Sequence, residues 1–489
     1  MNTYIGVDLG TSAVKLLLAD ENGKVLSSAS ESYPVFYPHA GWSEQNPNDW
    51  LAAVERAMPR LLHGFDGACV RGISFGGQMH GLVVLDEKDE VIRPCILWND
   101  GRTQAQTDYL NDKVKDIVKF TANGAFAGFT APKILWLEEH EPENFARISK
   151  IMLPKDYLIY KLTGAFVTDL SDASGTLLLD VENRNWSGDM LEICHVKRDW
   201  LPELKESYEA VGDLKRCYAE KWGLTKVTVA AGAGDNAAAA TGTGNVKEGD
   251  CTISLGTSGT VFISRDKFIA DAGAQLHSFC HANGRYHLMG CILSAAACYG
   301  WWTGVLQSDD NAREQAGGER YMGVNNVYFL PYLMGERSPH NDVHAKGAFI
   351  GLRPDTTRTQ MTVAVLEGVA FALRDCIEVA RRGGTEIKSA RLCGGGAASP
   401  LWRKIIADVC GIPVEIPAVE QGPAYGAAML AMVACGAYND VFEAAQKIVR
   451  VKETILPDAE TAKKYDERYA VFTKLYPACL LYTSDAADD

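Results

Sequence analysis

Asp235 has the surroundings expected of a catalytic carboxylate. It lies in the segment VAAGAGDNAAAATGTG (229–244), where almost every neighbour is glycine or alanine. Such neighbours leave room for a substrate and keep the carboxylate poorly solvated, so Asp235 could accept a proton from an attacking hydroxyl. The structural alternative is that Asp235 caps a helix over Asn236–Thr241. This segment taken alone leaves both interpretations open.

The tetrapeptide LGTS occurs at residues 9–12 and again at 255–258, about half of the 489-residue chain apart. Each copy follows β-forming residues and precedes an apolar run, which predicts two strand–turn–strand hairpins. A turn of glycine and small hydroxyl residues exposes backbone N–H groups that can hold phosphate oxygens. One copy would be typical of a plain tight hairpin. Two copies in the same context favour a duplicated chain that grips a polyphosphate between its halves.

The two copies differ at the residue two positions before the glycine, and a further glycine-rich loop lies downstream. Asp8 occupies this position in the first copy and Ser254 in the second, which indicates a metal-handling carboxylate on one side only. Gly394–Ala397 (GGGA) follow a predicted strand and precede a helix, where backbone and helix N-terminus could approach a phosphate. A ligand-free tight turn is the alternative. The sequence contains no GxxxxGK[ST] motif, so it is not a P-loop protein.

Composition indicates a multidomain globular enzyme. A chain of 489 residues with 47% hydrophobic and 22% charged residues is too long for one core. The formal net charge of −14 argues against nucleic-acid or anionic-membrane partners. Thirteen cysteines without a CxxC pair, and the absence of a secretory leader, favour a cytoplasmic location. The longest weakly polar run, Cys291–Leu306, falls short of the ~20 residues of a membrane span.

The order of the predicted elements is that of an α/β fold. Strands are predicted at Tyr4–Asp8, Val14–Ala19, Val25–Ser30 and Val70–Ser74. In the second half, a long amphipathic helix is predicted over Thr362–Arg381, ending at Gly383 and Gly384. A short strand, Ala390–Cys393, and a helix capped by Ser399 follow.

Two further segments have a possible functional and a possible structural role. His80 lies in GQMHG (77–81), where flanking glycines could let its side chain reach a ligand, although a lone histidine is more often structural. WNDGR (98–102) could contact a sugar or form an ion-paired turn.

Taken together, the motifs resemble those of the FGGY family of carbohydrate kinases over about residues 3–476. GFTAPKILWLEEH (128–140) and GAFIGLRPDTTRTQMTVAVLEG (347–368) are similar to the two signature segments of the family. Within it, GQMHG, ILWNDGR, FTAPK, LPKDYL, SDASGT, HSFCHA and PYLMGERSPHND are similar to segments of xylulose kinases. The resemblance implies two ribonuclease-H-like, actin-like ATPase domains flanking a central cleft. These domains would span residues 1–245 and 246–476, followed by a disordered or non-native tail at 477–489.

The resemblance also implies roles for individual residues. Asp8 would position Mg²⁺ and ATP, and Asp235 would be the general base. Lys15 would add positive charge, although it could also be a solvated strand residue. The implied sugar-binding residues are Met79, His80, Asp235 and Asn236. The implied nucleotide-binding residues are Thr11, Ser12 and Lys15 in the first phosphate loop, Gly256 and Thr257 in the second, and Gly395, Gly396 and Ala397 in the nucleotide loop.

The activity implied by the resemblance is ATP-dependent phosphorylation of D-xylulose to D-xylulose 5-phosphate. A kinase for another ketose or polyol, such as ribulose, a deoxy-ketose or an alditol, is the nearest alternative. A non-metabolic ATPase of the same fold is a further one. The expected partners are the sugar and ATP, with a homodimer suggested by resemblance and with neither nucleic acid nor membrane expected.

Overall fold

Each half of the chain builds a mixed β-sheet in the computed structural model, which describes residues 1–269, 275–306 and 317–484. The strands of the first half are β1 (Thr3–Leu9), β2 (Ala13–Asp20), β3 (Val25–Ser32), β4 (Glu44–Gln45), β5 (Val70–Gly77), β6 (Val83–Leu85), β7 (Cys95–Ile96), β8 (Lys150–Met152), β9 (Val167–Asp169), β10 (Leu179–Asp180), β11 (Asn185–Trp186), β12 (Glu203–Lys205), β13 (Ala210–Asp213), β14 (Thr228–Ala230) and β15 (Ala233–Gly234). Those of the second half are β16 (Asp250–Leu255), β17 (Gly259–Arg265), β18 (His277–Cys280), β19 (Tyr286–Ile292), β20 (Tyr328–Leu330), β21 (Ala348–Ile350), β22 (Ser389–Cys393), β23 (Val414–Pro417) and β24 (Val451–Ile455).

Helices cover the faces of both sheets. In the first half they are α1 (Pro47–Leu62), α2 (Gln104–Lys113), α3 (Ile117–Thr121), α4 (Thr130–His140), α5 (Pro142–Ala146), α6 (Pro154–Thr163), α7 (Leu170–Ala173), α8 (Gly188–Ile193), α9 (Arg216–Trp222) and α10 (Asp235–Thr243). In the second half they are α11 (Ala296–Leu306), α12 (Arg358–Arg382), α13 (Pro400–Cys410), α14 (Pro423–Ala434), α15 (Val441–Ile448) and α16 (Ala459–Ser484).

The two main sheets have the same arrangement of strands around their central strand, which agrees with the predicted duplication of an α/β unit, and the second sheet has β18 as an additional edge strand. The first runs β13-β14-β5-β1-β2-β3 and the second β24-β23-β22-β16-β17-β19-β18. In both, the central strand pairs parallel with one neighbour and antiparallel with the other: β1 with β5 and β2, and β16 with β22 and β17. Each LGTS segment is the turn of the hairpin formed by the central strand and its antiparallel neighbour.

Two helices, α10 and α14, lie at the junction of the two halves and cross at very short range. A Cβ atom added to Gly426 of α14 would lie 1.7 Å from the Ala238 carbonyl oxygen of α10. A Cβ added to Gly6 of β1 would lie 1.8 Å from the Ala424 carbonyl oxygen. The backbones can approach this closely only because both positions are glycine.

The placement of α14 was not predicted, because its sequence belongs to the second half of the chain. The helix packs on the first sheet, where the Tyr425 hydroxyl donates to the Gly23 carbonyl oxygen over 2.7 Å. The Tyr438 hydroxyl, just beyond α14, donates to the Glu21 carbonyl oxygen over 2.5 Å. The core around the first sheet therefore contains residues from both halves.

The tail from residue 477 was predicted to be disordered or non-native, and the first alternative is wrong for residues 477–484, since α16 continues to Ser484. That the tail is non-native stays a prediction. Leu475 and Cys479 are one helical turn apart and both pack against the core of the second half, which explains why the helix extends past the predicted limit. Residues 485–489 lie outside the part of the chain that the structure describes. None of the described helices is long and apolar enough to cross a membrane.

We predict that Gly426→Ala lowers the free energy of unfolding by about 1–3 kcal/mol, because an added methyl group forces α14 away from α10. The measurement is the midpoint of thermal unfolding. Gly300→Ala in α11 is the matched control, since a Cβ there meets open space. It should leave the midpoint unchanged or raise it slightly through helix propensity. Equal midpoints for the two variants would contradict the importance of this crossing.

Candidate active site

A cavity of about 430 Å³ between the two sheets brings together several of the predicted site residues. Asp8 at the end of β1, Lys15 on β2, and Asp235 and Asn236 at the start of α10 all line it. Lys15 lies directly opposite Asp8 in the β1–β2 ladder, so the two side chains share one face. Ser254, the counterpart of Asp8 in the second sheet, lines the same cavity. The two related sheets therefore present corresponding strand ends to one space.

The carboxylates of Asp8 and Asp235 are free to act on a ligand. Asp8 makes no side-chain hydrogen bond with the described residues, and burial, followed by the charge of Asp235, raises its pKa to about 7. Burial raises the pKa of Asp235 to about 6, against hydrogen bonds from Asn236. The Asp235 Oδ1 atom accepts these bonds from the Asn236 backbone N at 2.7 Å and from Nδ2 at 2.9 Å. Its Oδ2 atom has no hydrogen bond within the described chain.

Two helix N-termini border the cavity and offset the acidic composition of the chain. Asp235 is the first residue of α10 and Pro423 the first residue of α14, and both line the cavity. The N-terminus of a helix carries a partial positive charge that attracts anions. The capping alternative for Asp235 is not what the structure contains, because Gly234 is the cap residue and Asp235 is already helical.

The loop at 419–422 lines the cavity and occupies donors that were expected to hold phosphate. The Lys15 Nζ atom donates to the Gln421 side-chain Oε1 at 2.8 Å and to its carbonyl oxygen at 3.3 Å. The Gly394 N–H donates to a Glu420 carboxylate oxygen. Nothing in the composition of this loop predicted that it would contact the site. The contact between Lys15 and Gln421 joins residues 406 positions apart in the chain. Gly422 followed by Pro423, a helix-start pattern, was the only signal available.

The two LGTS turns follow strand ends that line the cavity, but the predicted phosphate-binding residues in them (Thr11, Ser12, Gly256 and Thr257) are not among its lining residues. The N–H groups of Thr11 and Ser12 have no hydrogen bond within the described part of the chain, whereas the Thr11 hydroxyl accepts from the Trp98 indole at 3.0 Å. In the second turn, the carbonyl oxygens of Gly256 and Thr257 accept from Ala296 and Ala295, both at 2.9 Å. The carbonyls of the second turn thus cap the start of α11.

The predicted nucleotide loop forms a short 3₁₀ turn over Gly395–Ala398, behind Gly394, which lines the cavity. Gly395 is exposed and a Cβ there would meet open space, whereas Ala397 is buried. At Gly394, φ is +89° and a Cβ would lie 2.7 Å from the Leu255 carbonyl oxygen, so only glycine fits.

Met79 and His80 are not among the residues that line this cavity. Met79 packs on Gly234, where a Cβ would be 3.0 Å from its sulfur. The His80 Nδ1 atom is 2.7 Å from the Gly175 carbonyl oxygen, and burial lowers the pKa of its imidazole well below the usual value. Because a carbonyl oxygen only accepts, Nδ1 carries the proton and Nε2 is left as an acceptor. His80 has a φ of +69°, a strained conformation typical of functional sites.

The sequence did not reveal how His80 is held. The Lys133 Nζ atom donates to the His80 carbonyl oxygen at 2.8 Å and to the Gly128 carbonyl oxygen at 2.7 Å. Thr130 donates to the same His80 oxygen at 3.1 Å. Lys133 is fully buried, which lowers its pKa to about 7. The motif FTAPK contains both donors, but its role depends on the tertiary fold.

A second cavity, of about 660 Å³, lies between Trp98–Asp100 and Phe126–Gly128 of the first half and Glu336 and Arg337 of the second. Asp100 pairs with Arg102 at 2.7 Å, so the ion-paired interpretation of WNDGR is correct for that pair. Trp98 is partly exposed and lines the cavity, so its side chain could contact a ligand there.

Comparison with known proteins places this architecture and site in one class. Residues 3–242 match the FGGY family of carbohydrate kinases, N-terminal domain, and residues 251–435 match its C-terminal domain. A xylulose kinase from Escherichia coli (strain K12) is 42% identical over 482 residues, which cover 98% of this chain and 99% of that protein. A xylulose kinase from Bacillus subtilis (strain 168) is 37% identical over 483 residues, 97% of each chain.

The same comparison extends to solved structures. The crystal structure of a xyloylose kinase from Brucella ovis matches with a TM-score of 0.95 and 41% identity, covering 98% of this chain and 100% of that one. The chain therefore belongs to the FGGY family of carbohydrate kinases. It is an enzyme that phosphorylates a carbohydrate, and the predicted two-domain α/β fold is confirmed.

We predict that Asp8→Asn raises the thermal stability of the ligand-free protein, and raises it more at pH 8 than at pH 5. The folded-state pKa of Asp8 is raised to about 7, against about 3.9 in an unfolded chain. The folded protein therefore holds a proton that the unfolded chain releases, and stability falls as pH rises from 4 to 7. Asparagine removes this cost.

Thermal midpoints measured with a chelator present at both pH values test this expectation. Asp112→Asn, on the exposed end of α2, is the control and should change neither midpoint appreciably. A midpoint for Asp8→Asn at or below that of the parent protein at pH 8 would contradict the burial argument.

Proposed function

We propose that this carbohydrate kinase transfers the terminal phosphoryl group of ATP to D-xylulose and forms D-xylulose 5-phosphate. The observation that carries the proposal is the placement of Asp8, Lys15 and Asp235 in the lining of one cavity between the two sheets. The names of the similar kinases from E. coli and B. subtilis support xylulose as the sugar.

In this proposal Asp235 is the general base. Its Oδ2 atom is free, its Oδ1 atom is fixed by Asn236, and its pKa of about 6 leaves it ionised at neutral pH. An ionised carboxylate with a pKa close to the working pH suits the removal of a proton from a sugar hydroxyl as that hydroxyl attacks phosphorus. Asn236 would add an amide for a further sugar hydroxyl.

Met79 and His80 would frame the sugar, since Met79 packs against Gly234, directly before Asp235. The Nδ1–H of His80 is committed to Gly175, so its Nε2 would accept a hydrogen bond from a sugar hydroxyl. A buried acceptor of this kind selects against analogues that lack the matching hydroxyl, because the acceptor is then left unpaired.

The phosphate side would be built from backbone and a few polar groups. The N–H groups of Thr11 and Ser12, the helix N-termini at Asp235 and Pro423, and Lys15 would neutralise phosphate charge. Gly256 and Thr257 in the second turn, and Gly395, Gly396 and Ala397 beside Gly394, would shape the rest of the nucleotide site. Lys15 and the Gly394 N–H would exchange their present partners in the 419–422 loop for the nucleotide.

Asp8 fits a magnesium ion bound with ATP. Its carboxylate has no hydrogen bond within the described chain and faces the cavity, and Mg²⁺ prefers a few carboxylate and phosphate oxygens. When bound, the ion supplies charge neutralisation on the phosphates. Closure of the two halves would exclude water from the site, since water would otherwise compete with the sugar for the phosphoryl group.

A panel of acceptors tests the substrate. ADP release from MgATP should be fastest with D-xylulose and slow with L-xylulose, D-ribulose, L-ribulose and glycerol, because the sugar site is polar and fixed. A reaction without sugar is the control for ATP hydrolysis. A faster rate with another member of the panel would keep the kinase and replace the substrate. A rate independent of every sugar would indicate an ATPase instead.

A substitution at Asp235 tests the mechanism. Asp235→Asn keeps the size of the side chain but removes the base, so kcat should fall by about 10²-fold or more, the usual contribution of such a group. ATP binding, measured by calorimetry, should change less than threefold and serves as the control for folding. Turnover above about a tenth of the parent value would exclude Asp235 as the base.

A further inference from the structure

One short segment forms hydrogen bonds both with His80 and with Gly234, the residue before Asp235. This anchor segment, residues 169–175, contains α7 and the sequence DLSDASG. The Ser171 hydroxyl accepts a hydrogen bond from the Gly234 N–H at 3.1 Å, directly before Asp235. The Gly175 carbonyl accepts from His80, and the Ser174 hydroxyl accepts from the Cys280 N–H of β18 at 3.0 Å. The anchor segment therefore joins both site residues to the edge of the second sheet.

The anchor segment is itself fixed by a fully buried charge cluster around Lys155. The Lys155 Nζ atom lies 2.9 Å from Asp169 Oδ1, 2.5 Å from Asp156 Oδ1 and 3.5 Å from Asp172 Oδ2, and all four side chains are buried. Asp169 Oδ2 accepts from the Ser171 backbone N–H at 2.8 Å, from the Ser171 hydroxyl, and from the Ser207 hydroxyl at 2.7 Å. A buried carboxylate with this many donors holds one geometry, and breaking such a pair is costly.

The direction of the Ser171 hydroxyl follows from this arrangement. A hydroxyl has a single proton, and that of Ser171 is donated to Asp169. Its lone pairs are therefore available to the N–H of the buried Gly234. Gly234 also pairs with Gly77 of β5 and packs on Met79, so the peptide before Asp235 is held on three sides.

We propose that Ser171, oriented by Asp169 and Lys155, is a positioning residue that fixes the carboxylate of Asp235 for proton removal. This rests on the proposed role of Asp235 as the base. Nothing in the proposed chemistry uses Ser171 directly, and its hydroxyl is buried away from the cavity. Its effect must therefore pass through the Gly234 peptide. A displacement of the base by about 1 Å is enough to cost ~10²-fold in rate.

Ser207 provides a matched control. Both serines donate to the same Asp169 oxygen and both are buried, but only Ser171 accepts from Gly234. Ser171→Ala should lower kcat for the sugar by tenfold or more while KM for ATP stays within twofold. Ser207→Ala should keep kcat within twofold, although both variants lower the thermal midpoint. Equal kcat values for the two variants would overturn the proposal.

A double-mutant cycle separates this proposal from the base role. In the Asp235→Asn background, Ser171→Ala should change the residual turnover by less than twofold, because the group it positions is gone. If Ser171→Ala lowers turnover by the same factor in the parent protein and in the Asp235→Asn variant, Ser171 acts on something other than Asp235, and the proposal is overturned. An Asp235→Asn variant with full activity would remove the base role, and the positioning role with it. An inactive Asp235→Asn variant beside a fully active Ser171→Ala variant would remove the positioning role alone.

If Ser171→Ala does not fold, Ser171→Thr and Ser171→Val take its place, since they have nearly the same shape and differ in the hydroxyl. The threonine variant should have a kcat at least tenfold above that of the valine variant. Equal values would overturn the proposal.

Discussion

The crossing of α10 and α14 is the contact on which the rest of the molecule depends. It places a helix from the second half against the sheet of the first half, and the glycines at positions 6 and 426 let the backbones meet with no side chain between them. Because each helix begins at the cavity, the crossing sets the distance between the two helix N-termini and so the position of Asp235 relative to the 419–422 loop. A single unfavourable contact there would alter the site as well as the fold.

The electrostatics of the site follow from the same arrangement. Asp8 and Asp235 line one cavity, and burial raises the pKa of both carboxyl groups. The protein thus maintains groups that cost stability in the folded state, a common property of catalytic sites. The partly positive helix ends and Lys15 would compensate locally and would let a chain with a net charge of −14 attract the proposed polyanion.

Local sequence patterns predicted many of the strands, turns and helices, whereas the features that were not predicted depend on long-range contacts. The LGTS hairpins and the strand before GGGA were predicted because their turn residues and alternation are local signals. The long helix predicted over Thr362–Arg381 spans Arg358–Arg382, since Thr357 and Gln360 form a capping box one turn earlier. The placement of α14 was not predicted, because an alanine-rich helix that is apolar all round does not indicate its partner. The support of His80 by Lys133, and of Gly234 by Ser171, likewise exists only in the folded chain.

In the proposed nucleotide site, the 419–422 loop would make binding an exchange of hydrogen-bond partners. The Glu420 carboxylate accepts a hydrogen bond from the Gly394 N–H, and the Gln421 side-chain oxygen accepts one from Lys15 Nζ. An anion that arrives must compete with groups whose effective concentration is set by a short loop. A small anion such as free phosphate or sulfate replaces one contact with one of its own and gains little. A polyphosphate long enough to reach both donors would displace both groups together, so in the proposed site the loop would favour longer anions.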